Sequence, residues 1–181
     1  MKRLFIAVDI DDATREQIGR ISADLRTPLE KYAKASWVRP DRMHLTLHFF
    51  GSADATVEQR VRAALASPIP EPPFDITFDG VGFFPEHGSP RVLWVGVRDG
   101  AEPLRRVHKN VVGPLARLDV FTPHLTLARL RNRVPRAKFA QIAGIPVSAG
   151  PSRIDRVTLY ESRLSPAGPA YVPLAAAPLT P

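Results

Sequence analysis

The six residues His-Leu-Thr-Leu-His-Phe at 44–49 return 80 positions later as His-Leu-Thr-Leu-Ala-Arg at 124–129. This repetition constrains the fold more than any other feature of the chain, because the elements around each copy repeat with it. Ahead of the first copy, 3–9 (RLFIAVD) has the short apolar run of a buried strand. Residues 11–33 carry a helical pattern with Ile18, Ile21 and Leu25 on one face, broken or kinked at Thr27-Pro28. The motif strand, 43–50, ends at Gly51-Ser52, and a helix over 55–66 aligns Val57, Val61 and Leu65. A strand at 74–83 completes the first half.

The second half runs in the same order. A strand at 91–97 leads to a helix at 102–118 with Leu104, Val107, Val111 and Leu115 aligned, then to the motif strand at 122–129. A helix at 135–143 opens with Pro135 and closes before Gly144, and a strand follows at 153–160. Each post-motif helix starts 11 residues after its histidine (44 to 55, 124 to 135), and each following strand starts 30 or 29 residues after it (44 to 74, 124 to 153). Matching order at matching offsets is the signature of an internal duplication. The expected fold is therefore α+β and bilobal: two pseudo-twofold-related lobes, each a mainly antiparallel sheet flanked by helices, with a cleft between them. Residues 1–181 are expected to form one domain, with duplicated segments at approximately 1–84 and 90–162 followed by a C-terminal strand and tail. The Pro/Gly-rich stretch 85–91 is the expected crossover loop. Prolines in YVPLAAAPLTP suggest only an edge strand near 170–175 before the tail frays.

On a strand, residues i and i+2 share a face about 6.5–7 Å apart. His44 and Thr46 therefore share one face, with Leu45 and Leu47 on the core side, and His124 and Thr126 do the same beside Leu125 and Leu127. Two such strands facing each other present two imidazoles flanking two hydroxyls. That set suits in-line displacement at phosphorus: one neutral imidazole takes a proton from the attacking oxygen while the other, protonated, gives one to the leaving oxygen. The threonine hydroxyls can donate to non-bridging phosphate oxygens. No metal or other cofactor is required.

Rival chemistries have less support. His44, His48 and His124 are possible metal ligands, but positions i and i+4 of a strand lie about 13 Å apart, too far to share an ion. No G-x-S-x-G elbow and no P-loop is present. The absence of cysteine rules out disulfides and thiolate chemistry and is compatible with a cytoplasmic location. The first ten residues read as a strand rather than a signal peptide, and no spanning apolar segment is visible, so no membrane partner is expected.

A net charge of +7 favours a polyanion. The densest basic run, 129–138, starts inside the second motif; Arg131, Arg133, Arg136 and Lys138 form either a phosphate track or a solvated loop and helix start. Arg129 suits bidentate phosphate capture, yet strict alternation places it on the leucine face. Trp37 and Phe121 precede the motifs and could stack on a base, although core packing is the commoner fate of such residues. His87 and His108, in a loop and a helix, receive no role.

Together, RLFIAVD, WVRPDRMHLTLHFFG, PRVLWVGV, FTPHLTLARL and VTLYESRLSPAGPAY resemble the RNA 2′,3′-cyclic phosphodiesterases, also called 2′-5′ RNA ligases, of the two-histidine phosphoesterases. The resemblance spans about residues 3–172. It implies hydrolysis of RNA or nucleoside 2′,3′-cyclic phosphates to 2′-phosphates, with His44 donating a proton to the leaving 3′ oxygen and His124 activating water. It further implies that Thr46 and Thr126 bind the phosphate, that Arg129 contacts it despite the alternation argument, and that ATP-independent 2′-5′ ligation can run as the reverse reaction. His48 stands where such strings commonly carry lysine. The implied partners are RNA ends or cyclic nucleotides, and the protein is expected to be a monomer. The alternative is a non-catalytic module that holds RNA ends.

Overall fold

The computed structural model describes residues 1–166 and 168–181. In chain order the elements are β1 (Lys2–Asp9), α1 (Asp12–Glu30), β2 (Ala35–Trp37), β3 (His44–Ala53), α2 (Ala55–Ala64), β4 (Ile69–Pro70), β5 (Phe74–Phe84), β6 (Val92–Val97), α3 (Ala101–Val112), β7 (His124–Leu130), α4 (Ala140–Ala143), β8 (Ser148–Ile154), β9 (Arg156–Arg163) and β10 (Ala170–Thr180). Asp11 and Asp54 start the first two helices by accepting the backbone N–H of Thr14 at 2.7 Å and of Val57 at 2.9 Å. Pro28 does not break α1. It falls in the last turn, where its missing N–H removes one bond near the end and the helix stops two residues later.

Two five-stranded sheets form, with orders β3-β1-β9-β10-β4 and β2-β7-β6-β5-β8. Every pairing is antiparallel except β4 with β10. This is the bilobal α+β architecture expected from the duplicated elements. The sheets are not the two halves of the sequence, however. The strand that closes the first half, β5, pairs with β6 in the second sheet, and the strand that closes the second half, β9, pairs with β1 in the first. Helices cross as well. On the first-half helix α1, Gln17 Oε1 accepts the N–H of Gly150 in β8 at 2.7 Å, while α3 is tied to the end of β4 by Arg106, which grips the buried Glu71 carboxylate with two bonds of 2.7 and 2.9 Å. Local periodicity specifies the elements but not which sheet a closing strand joins, since that pairing is non-local.

The chain between β5 and β6, residues 85–91, is a hairpin loop within one sheet. The segment expected as one strand at 153–160 is the end of β8 and most of β9, separated at Asp155. The post-motif helix at 135–143 is a 3-10 turn (Arg136–Phe139) followed by the four-residue α4. The tail is no frayed edge: β10 lies between β9 and β4 and continues to Thr180, absorbing Pro173 at a register shift. No helix among the described residues is long and apolar enough to cross a membrane.

Leu45, Leu47, Leu125 and Leu127 are buried, as alternation requires. Each motif strand then departs from alternation at the same place. On β3, Ala7 pairs with Thr46 and Ile6 with His48, leaving Leu47 as an extra residue; on β7, Trp94 pairs with Thr126 and Leu93 with Ala128, leaving Leu127 extra. These are β-bulges, and each reverses the faces of the residues that follow it, on β3 as far as a second shift before Gly51. On β7 the consequence is visible in burial: Leu127 and Ala128 are both fully buried and Arg129 emerges on the His124 face. On β3 the twin of Arg129 is Phe49, an exposed ring with the guanidinium of Arg3 lying over it, 5.2 Å from its centre.

Candidate active site

His44 and His124 each begin a motif strand and are held in the same way. The Nδ1 of His44 lies 2.9 Å from the carbonyl of Arg42, and that of His124 lies 2.7 Å from the carbonyl of Thr122. A carbonyl only accepts, so Nδ1 carries the proton in both rings and Nε2 is left as the reactive nitrogen. At His44, Nε2 is 3.1 Å from the Thr46 hydroxyl, which donates to it when the ring is neutral.

Aromatic walls fix both rings. His44 stacks on Phe5 of β1, with centroids 4.8 Å apart, and meets the edge of Tyr171 of β10 at 5.1 Å. His124 is edge-on to Phe84 of β5 at 4.9 Å and lies 6.0 Å from Trp94 of β6. The Trp94 ring occupies the space beside Gly82, where a β-carbon would come within 2.1 Å of it, so this wall requires glycine on the neighbouring strand.

Burial pushes both imidazoles below their ordinary value near 6.5. At each, the carbonyl bond opposes that shift and the positive charge of Arg129 adds to it. They differ in one respect: the carboxylate of Asp9, paired across β1 and β3, favours the His44 cation, and His124 has no such neighbour. Asp9 accepts a 2.7 Å hydrogen bond from Tyr160, whose own hydroxyl is held far above its usual range by burial and by that carboxylate.

His44, Thr46, His124, Thr126 and Arg129 together line one cleft, so all five predicted site residues converge. Its main chamber is about 840 Å³ and includes Arg3, Phe5, Phe49, Phe84 and Phe121; a smaller annex of about 190 Å³ is lined by Ser36, Trp37, Arg39 and Arg42. Phe121 faces the main chamber while stacked on His108 at 4.2 Å. Trp37 faces the annex, its ring 5.2 Å from the Arg26 guanidinium and its N–H bonded to Glu30. The basic run beyond the motif does not line either chamber: β7 ends at Leu130, Arg131 donates to the Ser36 hydroxyl and Arg136 donates to the carbonyl of Pro85. Among the described residues, no three His, Asp or Glu side chains come together to hold a metal ion.

Asp9, Phe5, Tyr171 and Phe49 contribute to the site without having been singled out by sequence. Asp9 and Phe5 have a signal in retrospect, since they share one face of the strand expected at 3–9, which the structure pairs with the first motif strand. Tyr171 has none, because it enters from β10 only through the crossed topology.

The profile of the family described as the 2′-5′ RNA ligase superfamily matches residues 10–165. The chain belongs to this superfamily. Among similar superfamily proteins, the RNA 2′,3′-cyclic phosphodiesterase of Archaeoglobus fulgidus is 34% identical over 174 residues, covering 93% of this chain and 96% of that one. The protein of the same description from Thermotoga maritima is 30% identical, with 93% and 91% covered. Among solved structures, E. coli LigT complexed with NADP+ superposes with a TM-score of 0.76 at 30% identity, covering 99% and 98%, and LigT with 3′-AMP gives 0.74 at 29%.

Proposed function

We propose that this superfamily member hydrolyses RNA or nucleoside 2′,3′-cyclic phosphates to 2′-phosphates by paired-histidine acid-base catalysis, and that its cleft serves one bilobal domain spanning 1–181 that arose by duplication. The observation that carries the proposal is the matched pair of imidazoles, each locked through Nδ1 to a carbonyl two residues back, so that both reactive nitrogens belong to one cleft. The RNA 2′,3′-cyclic phosphodiesterases among its relatives, and the LigT complexes with nucleotides, support the substrate class.

The chemistry follows from the protonation states. Nε2 of neutral His124 removes a proton from water as its oxygen attacks phosphorus. The P–O3′ bond breaks, Nε2–H of cationic His44 protonates the departing O3′, and the phosphate remains on O2′. Thr46 and Thr126 donate to the non-bridging oxygens, and Arg129 neutralises charge at the same phosphate. The assignment of acid to His44 is supported by Asp9, which stabilises its cation. Ligation is the same path with the 5′-hydroxyl of a second RNA in place of water: its oxygen attacks phosphorus, the P–O3′ bond breaks, O3′ takes the proton and a 2′-5′ linkage forms without ATP, while the reverse step cleaves that linkage.

The pH dependence tests the assignment. Activity falls below the pKa of the base, which must be neutral, and above the pKa of the acid, which must be charged. Burial lowers both groups, so kcat/KM for a nucleoside 2′,3′-cyclic phosphate is expected to be bell-shaped with its maximum on the acid side of about 6.5. Removing the Asp9 charge disfavours the His44 cation. Asp9→Asn therefore shifts the alkaline limb to lower pH and leaves the acid limb in place. A shift of the acid limb alone would reverse the two roles.

A further inference from the structure

The main chamber is lined by more than the shared face of the two motif strands, and a second pair of histidines is among its lining residues. His108, on α3, is 8% exposed and lines the chamber beneath Phe121, whose ring covers one of its faces. His48, on β3 just past the bulge, lines it too, edge-on to Phe50 at 4.6 Å. Neither imidazole makes a hydrogen bond within the protein among the described residues, and both line the same chamber; burial lowers each below its ordinary value, with His48 adding to that shift at His108 and the Asp119 carboxylate opposing it at His48. A polar ring that is nine-tenths buried, without a protein partner, and that faces a cavity of about 840 Å³ is a group waiting for a ligand.

The surroundings define that ligand. Arg3 and Arg117 line the same chamber and form no ion pair among the described residues, and Asp119 is the single carboxylate. Donors outnumber acceptors, which selects an acceptor-rich, anionic group rather than a nucleobase edge. A chamber of this volume also has room for more than the nucleoside that carries the reacting phosphate.

We propose that His48 and His108 form a second phosphate subsite that takes the phosphate on the 5′ side of the reacting nucleotide, so that the enzyme distinguishes an RNA end from a free nucleoside cyclic phosphate. This rests on the cyclic-phosphate reading of the main site. His48 and His108 bind and position; they touch none of the reacting atoms.

The test compares a nucleoside 2′,3′-cyclic phosphate with the same compound bearing a 5′-phosphate, and with one extended at the 5′ side through an uncharged methylphosphonate to a second nucleoside. Wild-type kcat/KM is expected to rise about tenfold with the 5′-phosphate, the effect of one or two charge-assisted hydrogen bonds. His48→Ala and His108→Phe, the latter keeping the stack on Phe121, bring that ratio to within about twofold of one while leaving the unphosphorylated substrate unaffected. No preference in the wild type, a preference unchanged in both variants, or a gain seen only with the uncharged extension overturns the subsite. If no cyclic phosphate is turned over, the main-site reading has failed, and dialysis of nucleoside 2′-phosphates with and without a 5′-phosphate decides this one. Tighter binding of the 5′-phosphorylated compound that His48→Ala abolishes supports the subsite; equal affinities overturn it.

Discussion

Alanine at position 124 is expected to lower kcat for a 2′,3′-cyclic phosphate by about three orders of magnitude, within the range of roughly 10²–10⁴ associated with a positioned acid or base. His44→Ala has an effect of the same size, and the two losses do not add, because both protons move around one transition state. The variants differ in what remains. His124→Ala removes the group that must be neutral, so its residual rate no longer falls at acid pH; His44→Ala removes the group that must be charged, so its residual rate no longer falls at alkaline pH. Each ring is held by its aromatic wall and one carbonyl, with the Thr46 hydroxyl as a further partner of His44, and both lie at the cleft, so circular dichroism of the two variants remains that of the wild type. Steady-state kinetics across pH checks the whole pattern.

Arg129→Ala is expected to cost about 10² in kcat/KM, with Arg129→Lys recovering part of it. The guanidinium lines the same cleft as both histidines and disfavours a charge on each, and bidentate capture of a phosphate is what arginine offers over lysine. A second consequence has the opposite sign and separates this role from simple charge loss. Removing Arg129 relieves its disfavouring of both imidazolium ions, so both limbs of the pH profile move upward as the rate falls. Turnover at saturating substrate compared with kcat/KM then shows how much of the loss lies in binding.

Arg129 also shows where the sequence is legible and where it is not. The duplicated His-x-Thr strings locate the two strands, and alternation assigns the four leucines to the core correctly because side-chain parity is local. Alternation misplaces Arg129, since the bulge at Leu127 inserts one residue with no glycine or proline to mark it. The further shift on β3 next to Gly51, whose φ is +69°, does carry such a mark. Family resemblance puts Arg129 in the cleft, and the bulge supplies the reason. Tyr171 has a different cause. Its place depends on β9 pairing with β1 in the first sheet and carrying β10 with it, a pairing between residues more than 150 positions apart that no local pattern encodes; the hydrogen bond from Tyr160 to Asp9 has the same origin. The same non-local packing brings His108 of α3 to the chamber, although periodicity marks it only as a residue on a helix beside Val107.

The bulge twins also explain why the two halves of the site differ. Position 129 puts a guanidinium in the cleft, where it is proposed to meet the reacting phosphate, while position 49 puts an exposed ring there with Arg3 over it, so the likeness of the two motif strands holds for the histidines and threonines and lapses just beyond them. An asymmetric substrate, with a nucleoside on one side of the phosphorus and a water molecule on the other, fits an asymmetric pair of walls.

The most direct measurement is the ³¹P NMR spectrum of the products when the purified protein is incubated with a nucleoside 2′,3′-cyclic phosphate in excess chelator. Paired-histidine catalysis with His44 protonating O3′ predicts conversion to the 2′-phosphate alone, lost in His44→Ala and in His124→Ala. Accumulation of the 3′-phosphate, or turnover that survives both substitutions, would contradict it.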